Sequence, residues 1–444
     1  MEEHRAIRQE LLRRGLFETR MGYYYLKMVW YAALFAGAIA LTLWSGSTWG
    51  RMAGAALLAA YWQQLAFFGH DIGHNAVTHE RSKDLWRGIV LGNTTGGIAL
   101  GWWKRSHNVH HVVCNSVEND PDIQHLPVMA VNTNLFRKYW STYHEKWVSI
   151  DAVARFLVSW QHVLFYPIMA VARFNLYVQS YILLLSKERK NADMKHWKLE
   201  LACLVAFAAW FTMLVASLPS WGERVAYLLL SHGLAGLLHV QICLSRKVYL
   251  HPLFPPYTHP YFNLNPMLYS RTLQPCNSAL PASPLHTSRK CLISSTRVRS
   301  LLLPPPAAPP RPPSPPPLLT DFTMETYHGQ AYNDDSDEWF MMQLKTTMNV
   351  ACPRWMDWFH GGLQFQIEHH LWPRLPRHHL REARKLTKAL CAKHDLHYHE
   401  PGFLEGNVEL WQNLRKVALE AGDLKKGDGG FYESQLWDGL NAQG

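Results

Sequence analysis

Apolar residues gather into four long runs, set as two pairs. Met28 to Trp44 and Met52 to Phe68 flank a short Ser/Gly turn, Ser45 to Gly50, while Leu199 to Leu218 and Val225 to Leu244 flank Pro219 to Arg224. Each run approaches the roughly 20 apolar residues that cross a bilayer as a helix. The pattern predicts an all-α integral membrane protein with four transmembrane helices in two hairpins. Arg5, Arg8, Arg13, Arg14, Arg20 and Lys27 precede the first run, and this excess of positive charge places segment 1–27 in the cytosol. Each hairpin then returns the chain to that side.

Other stretches depart from this pattern. Gly88 to Trp103 is too short to span and rich in glycine, so it reads as a surface-lying or re-entrant segment. Phe156 to Leu185 is long but interrupted by His162, Pro167, Arg173 and Asn175, which favours an interfacial helix over a span. Asn119-Asp120-Pro121-Asp122 breaks the helix before it. Residues 246–321 hold about two-thirds of the chain's 26 prolines, including Pro304-Pro305-Pro306 and Pro315-Pro316-Pro317, with no helical or strand period. Their composition is that of a disordered or polyproline-like insert. The pattern resumes at Phe322 and includes a basic helix from Arg377 to His394, read as a solvated, lipid-facing surface. Residues 401–444 read as a polar C-terminal tail.

Composition agrees with a membrane protein: 48% of residues are apolar and 18% charged, with 19 Trp and 19 Tyr. A mean hydropathy of −0.17 averages the spans with long polar regions. The formal charge of +10 suits membrane phosphates and the cytosolic side of a bilayer better than nucleic acid. Seven cysteines with no CxxC pair indicate neither a disulfide framework nor a thiolate metal site. The polar N-terminus reads as no signal peptide.

Three clusters carry the chemistry: His70-Asp71-Ile72-Gly73-His74, His107-Asn108-Val109-His110-His111 and Gln366-Ile367-Glu368-His369-His370. Positions i, i+3 and i+4 share a helix face, so each cluster can aim its side chains at one point. Imidazole ligates iron, zinc and copper. A lone zinc wants four ligands, whereas this many nitrogen ligands without a thiolate fit two metals, and iron suits oxygen chemistry best. His239, ionisable and near the cytosolic end of the fourth run, is a further candidate ligand. Asp71, Asn108 and Glu368 are placed to hydrogen-bond ligating rings. His125, His144, His196 and His232 are read as ordinary surface or core histidines.

The three clusters resemble those of the membrane fatty-acyl desaturase family, and Gln366 in place of the third cluster's first histidine resembles the front-end branch. Trp102-Trp103-Lys104-Arg105-Ser106-His107, Cys114-Asn115-Ser116, Asp120-Pro121-Asp122-Ile123-Gln124-His125, Tyr166-Pro167-Ile168-Met169, Met356-Asp357-Trp358-Phe359, Gly361-Gly362-Leu363-Gln364-Phe365 and Pro373-Arg374-Leu375-Pro376-Arg377 look most like plant and algal Δ8 sphingolipid desaturases. The resemblance covers about residues 10–245 and 322–400 and implies oxygen-dependent removal of two hydrogens from a long chain of a membrane lipid. It implies two iron ions in a cytosolic helical cap, an endoplasmic-reticulum membrane location with the active site facing the cytosol, and electrons from cytochrome b5 and its NADH-dependent reductase. The metal residues are then His70, His74, His107, His110, His111, His239, His369 and His370, with Gln366 in the shell. Alternatives are an acyl-lipid front-end desaturase of Δ6 or Δ5 type and an inactive lipid-binding relative.

Two departures stand out. The branch usually carries a fused cytochrome b5 domain with a His-Pro-Gly-Gly motif, which this sequence lacks. The family also reads Leu-Ser-His-Phe or Leu-Asn-His-Phe after the fourth span, where this chain has Leu244-Ser245-Arg246-Lys247 and regains the pattern at Phe322. Residues 246–321 read as a retained intron. Arg-Lys codons can hold a donor-like GTAAG, Thr320-Asp321 codons an acceptor-like CAG, and excision restores a histidine codon in frame.

Overall fold

The computed structural model describes residues 2–187, 194–243, 324, 326–328 and 336–424. Its compact main unit is drawn from residues 1–250 and 320–444; the proline-rich insert lies outside the described residues. A short helix α1 (Glu2–Arg13) precedes two long ones, α2 (Met21–Trp44) and α3 (Thr48–Gly73), which form the first hairpin. Ser47 caps α3 by accepting a bond from the Gly50 amide, satisfying one orphan donor of its first turn. Next come α4 (Arg81–Arg87), a π-helical turn (Gly88–Asn93), the single turn α5 (Thr94–Gly96) and α6 (Leu100–Val113). After a two-stranded antiparallel hairpin, β1 (Tyr139–Ser141) and β2 (Lys146–Val148), the chain forms α7 (Ala152–Ser159), α8 (Gln161–Leu185), α9 (Trp197–Ala216) and α10 (Trp221–Cys243). The C-terminal part supplies α11 (Ser336–Thr346), α12 (Asp357–His360), α13 (Gln366–Leu371), α14 (Leu380–Lys393) and α15 (Phe403–Asp423).

The protein is therefore mostly helical, the β-hairpin being the exception to the all-α expectation. Among the described residues, three helices are long and apolar enough to cross a membrane: α2, α8 and α9. The other two expected spans form continuous helices, α3 of 26 residues and α10 of 23, with polar side chains such as Gln63 and Gln64 in α3. The stretch read as interfacial, Phe156 to Leu185, instead becomes α7 and a continuous α8. Its interruptions are absorbed by neighbours. Pro167 sits inside α8. Buried Arg173 donates to the Gly96 carbonyl at 2.6 Å and the Tyr177 hydroxyl at 2.8 Å, with its guanidinium 4.3 Å from the Trp62 ring centre. A charge that faces protein in this way avoids most of the cost of facing lipid.

Three further expectations are corrected. The helix bearing His107 ends at Val113, before Asn119, with Asn115 at φ +64° in the turn beyond it. The basic helix is less solvated than expected, since Arg377 is buried and Arg381 and Arg384 pair with Asp357 and Glu400. Much of the supposed polar tail is the 21-residue helix α15. Leu410, Leu414, Val417 and Ala421 of α15 join a core with Val117, Ile123, Leu135, Val158 and Phe165. Separate cores lie within the long-helix bundle and around α13 and α14.

Candidate metal centre

Three elements carry the histidine clusters to one place. His70 lies in the last turn of α3 and His74 caps it. His107, His110 and His111 line one face of α6, and Gln366, His369 and His370 line α13. All are buried. Gly73, between the first two histidines, is required by a close approach: a Cβ there would lie 2.0 Å from the Trp103 ring. That ring stacks on His107 at 4.2 Å between centroids and lies 5.4 Å from His70.

The imidazoles form two neighbouring groups. Donor atoms of His70, His74, His107, His111 and His369 lie within 4.8 Å of one another, and those of His110, His370 and Cys114 form a second such set. The groups meet where the His111 and His370 ring centres are 4.3 Å apart. Within the first group, Nε2 of His111 is 3.0 Å from Nε2 of His107 and 3.1 Å from Nε2 of His369. Two imidazole nitrogens bound at right angles to one metal at about 2.1 Å each would sit about 3 Å apart. Burial, followed by the charges of His370, His74, His107 and His369, holds His111 well below the usual histidine range. His111 is thus neutral at pH 7, the form that ligates metal.

Hydrogen bonds orient the second group. Nδ1 of His110 lies 3.0 Å from the Asp120 carboxylate, and Nδ1 of His370 donates to Oε1 of Gln343 at 3.0 Å. Each contact fixes the proton on Nδ1 and leaves Nε2 as the lone-pair nitrogen. The buried Nε2 of His110 and both amide atoms of Gln366 have no hydrogen-bond partner within the protein. Unsatisfied buried polar atoms are costly, and a bound cation with its water would satisfy them. The donor set therefore fits metal binding.

A sequence model of the fatty acid desaturase family matches residues 47–263 and 318–402. The chain belongs to the fatty acid desaturase family. It is 34% identical to a Δ8 fatty-acid desaturase of Helianthus annuus over 100% of this chain and 78% of that protein. It is 32% identical to an acyl-lipid (9-3)-desaturase of Borago officinalis over 100% of this chain and 80% of the relative. A Δ8-(E)-sphingolipid desaturase of Kluyveromyces lactis is 33% identical, covering 94% of this chain and 59% of the relative. The protein is a membrane-bound lipid desaturase, an oxidoreductase.

Not every expected residue of the desaturase joins the two groups. His239 lies on α10 outside both, with Nδ1 donating to the Ala235 carbonyl at 2.7 Å. Asn108 is exposed. Asp71 lies 3.7 Å from Nδ1 of His70, but its strong partners are Arg377 at 2.5 Å and the Tyr24 hydroxyl at 2.5 Å. Glu368 accepts from Asn349 at 2.8 Å and Tyr398 at 2.9 Å, and burial pushes it up to about 7.

Asp120, Gln343, Arg377 and Cys114 had no assigned role in the sequence. Asp120 stands in a helix-breaking motif and in a stretch that carries the family resemblance, with no contact assigned to its own side chain. Gln343 and Arg377 reach across 27 and 306 residues, and no local spacing announces such contacts. Cys114 follows the second cluster by three residues, but without a CxxC pair the cysteines indicate no thiolate metal site.

Proposed function

We propose that this desaturase introduces a double bond at the Δ8 position of a sphingolipid long-chain base. It would act in the endoplasmic-reticulum membrane with its centre facing the cytosol. His70, His74, His107, His110, His111, His369 and His370 would hold two irons, with His239 as a further ligand and Gln366 in the surrounding shell. Electrons would come from cytochrome b5 and its NADH-dependent reductase. Bound iron supplies the O2 activation needed to remove two unactivated hydrogens. The protein's part is to hold the imidazoles neutral and oriented and to keep water from the buried site. Asp120 and Gln343 set the tautomers of His110 and His370, and Trp103 closes against His70 and His107.

The observation that carries this reading is the meeting of seven buried imidazoles in two adjacent groups. The Δ8 position is supported by the names of the sunflower and yeast relatives. The acyl-lipid relative supports a second reading, front-end desaturation of an acyl chain. Expression in yeast, with profiling of long-chain bases and fatty acids, separates them: a new Δ8-unsaturated base supports the first, a new polyunsaturated acyl chain the second.

We further propose that residues 246–321 are a retained intron whose removal restores a ligating histidine. The family match breaks off at residue 263 and resumes at 318, which supports an inserted segment over the middle of this stretch. The insert-free form should bind about two irons per chain and be active. An inactive, iron-free protein in both forms favours a lipid-binding relative, and a mature transcript still encoding Pro304 to Pro317 refutes the intron.

A further inference from the structure

Helix α15 begins at Phe403, one residue beyond the family match. One face of it packs into the protein. Another carries exposed apolar side chains at a regular spacing: Leu404 (76% exposed), Val408 (53%), Trp411 (43%) and Leu419 (55%). These fall at i, i+4, i+7 and i+15, a single stripe on a helix. The one cation within the stripe, Arg415, lies 5.8 Å from the Trp411 ring centre. Glu405, Gln412 and Asp423 follow along one edge of the stripe and are also exposed. The helix thus has three sides: protein-facing, apolar exposed and polar exposed. Isolated exposed apolar residues need no explanation, but a continuous stripe does.

The position of the stripe indicates what covers it. Gln161, at the first residue of α8, donates to the Leu414 carbonyl at 3.0 Å, and the Tyr166 hydroxyl donates to Asn407 at 3.1 Å. The His162 and Trp411 rings lie 6.2 Å apart. α15 is therefore fastened to the first two turns of α8, a helix long and apolar enough to cross the membrane. At about 1.5 Å per residue, those turns lie within roughly 10 Å of its end. Phe156, Trp160 and Val163, more than half exposed, continue the apolar surface across the α7–α8 junction. Tryptophan gathers at such membrane–water boundaries.

We propose that α15 lies in the membrane interface, with Leu404, Val408, Trp411 and Leu419 in the acyl region, Arg415 reaching the lipid phosphates, and Glu405, Gln412 and Asp423 toward water. This is the arrangement of an in-plane amphipathic helix. It anchors the core that also holds the segment after the second histidine cluster, Val117 to Leu135.

The test uses the full chain reconstituted in phosphatidylcholine–phosphatidylserine vesicles that contain a lipid-borne carbene precursor. Mass spectrometry then reads the label residue by residue. Val163 and Val171, exposed on α8, are the internal reference for lipid contact. Label on Val408, Trp411 and Leu419 is expected within about twofold of that reference and about fivefold above Gln412 and Asp423. Labelled α8 with an unlabelled stripe overturns the proposal, whether cross-linking then finds a second copy over the stripe or finds none. Equal labelling around all of α15 also overturns it.

Discussion

The two imidazole groups lie side by side but are built differently. The first, His70, His74, His107, His111 and His369, gathers five donors from three elements. Carboxylates stand beside it too, with Asp71 3.7 Å from Nδ1 of His70 and Asp122 3.9 Å from Nδ1 of His107. The second, His110 and His370 with Cys114, has fewer donors, but each of its rings is held by a partner at 3.0 Å. Packed rings and the Arg377–Asp71 side-chain pair position the first group, and the Asp120 and Gln343 contacts orient the rings of the second. With only two rings in the second group, the aim of each one matters more.

His111 belongs to the first group and touches the second, so His111→Ala should break both. On the proposed two-iron reading, iron in the insert-free form should fall from about two per chain toward none, and product formation should cease. Elemental analysis and lipid profiling read the two effects. If one iron survives the change, the groups do not share His111.

The clamp on the first group is the buried pair between Arg377, beyond α13, and Asp71, beside His70. Arg377→Met would leave that carboxylate buried and unpaired at a cost of about 3–5 kcal/mol. Thermal unfolding should show the loss, and the double variant with Asp71→Asn should recover much of it. No recovery would mean that the arginine acts elsewhere.

The second group should respond more mildly to its own support. Asp120→Asn should weaken its metal affinity by about 10–100-fold while the first group keeps its ion. Titrated iron content should then show one tight and one weak site. Equal loss from both would remove the distinction between them.

The smallest effect is expected at Cys114. Its Sγ lies 3.6 Å from the Thr346 carbonyl, a contact that suits a thiol donating its proton. Cys114→Ala should change iron content by less than about twofold. A larger fall would make the thiol a ligand.

Local spacing accounts for what could be read early. His107, His110 and His111 share a face because a helix repeats every 3.6 residues, and that is written into the chain. The apolar runs announce long helices for the same reason, since burial in lipid needs a continuous apolar length. The stretch from Phe156 to Leu185 was harder. Arg173 looks like a bar to crossing until Trp62, Tyr177 and the Gly96 carbonyl are seen around it. α15 does not stand out in the sequence because it carries two apolar sides, one buried and one exposed, with polar residues such as Glu405, Gln412 and Asp423 breaking up the pattern.

The sequence by itself determined the histidine-bearing faces, their helical spacing and the apolar character of the long helices, because these depend on neighbours a few residues apart. Only the tertiary structure decided that the rings form two groups sharing a border, that Asp120 and Gln343 aim the second, and that Asp71 is held by Arg377. Those contacts join side chains from different elements, where chain folding rather than helical period sets the distance.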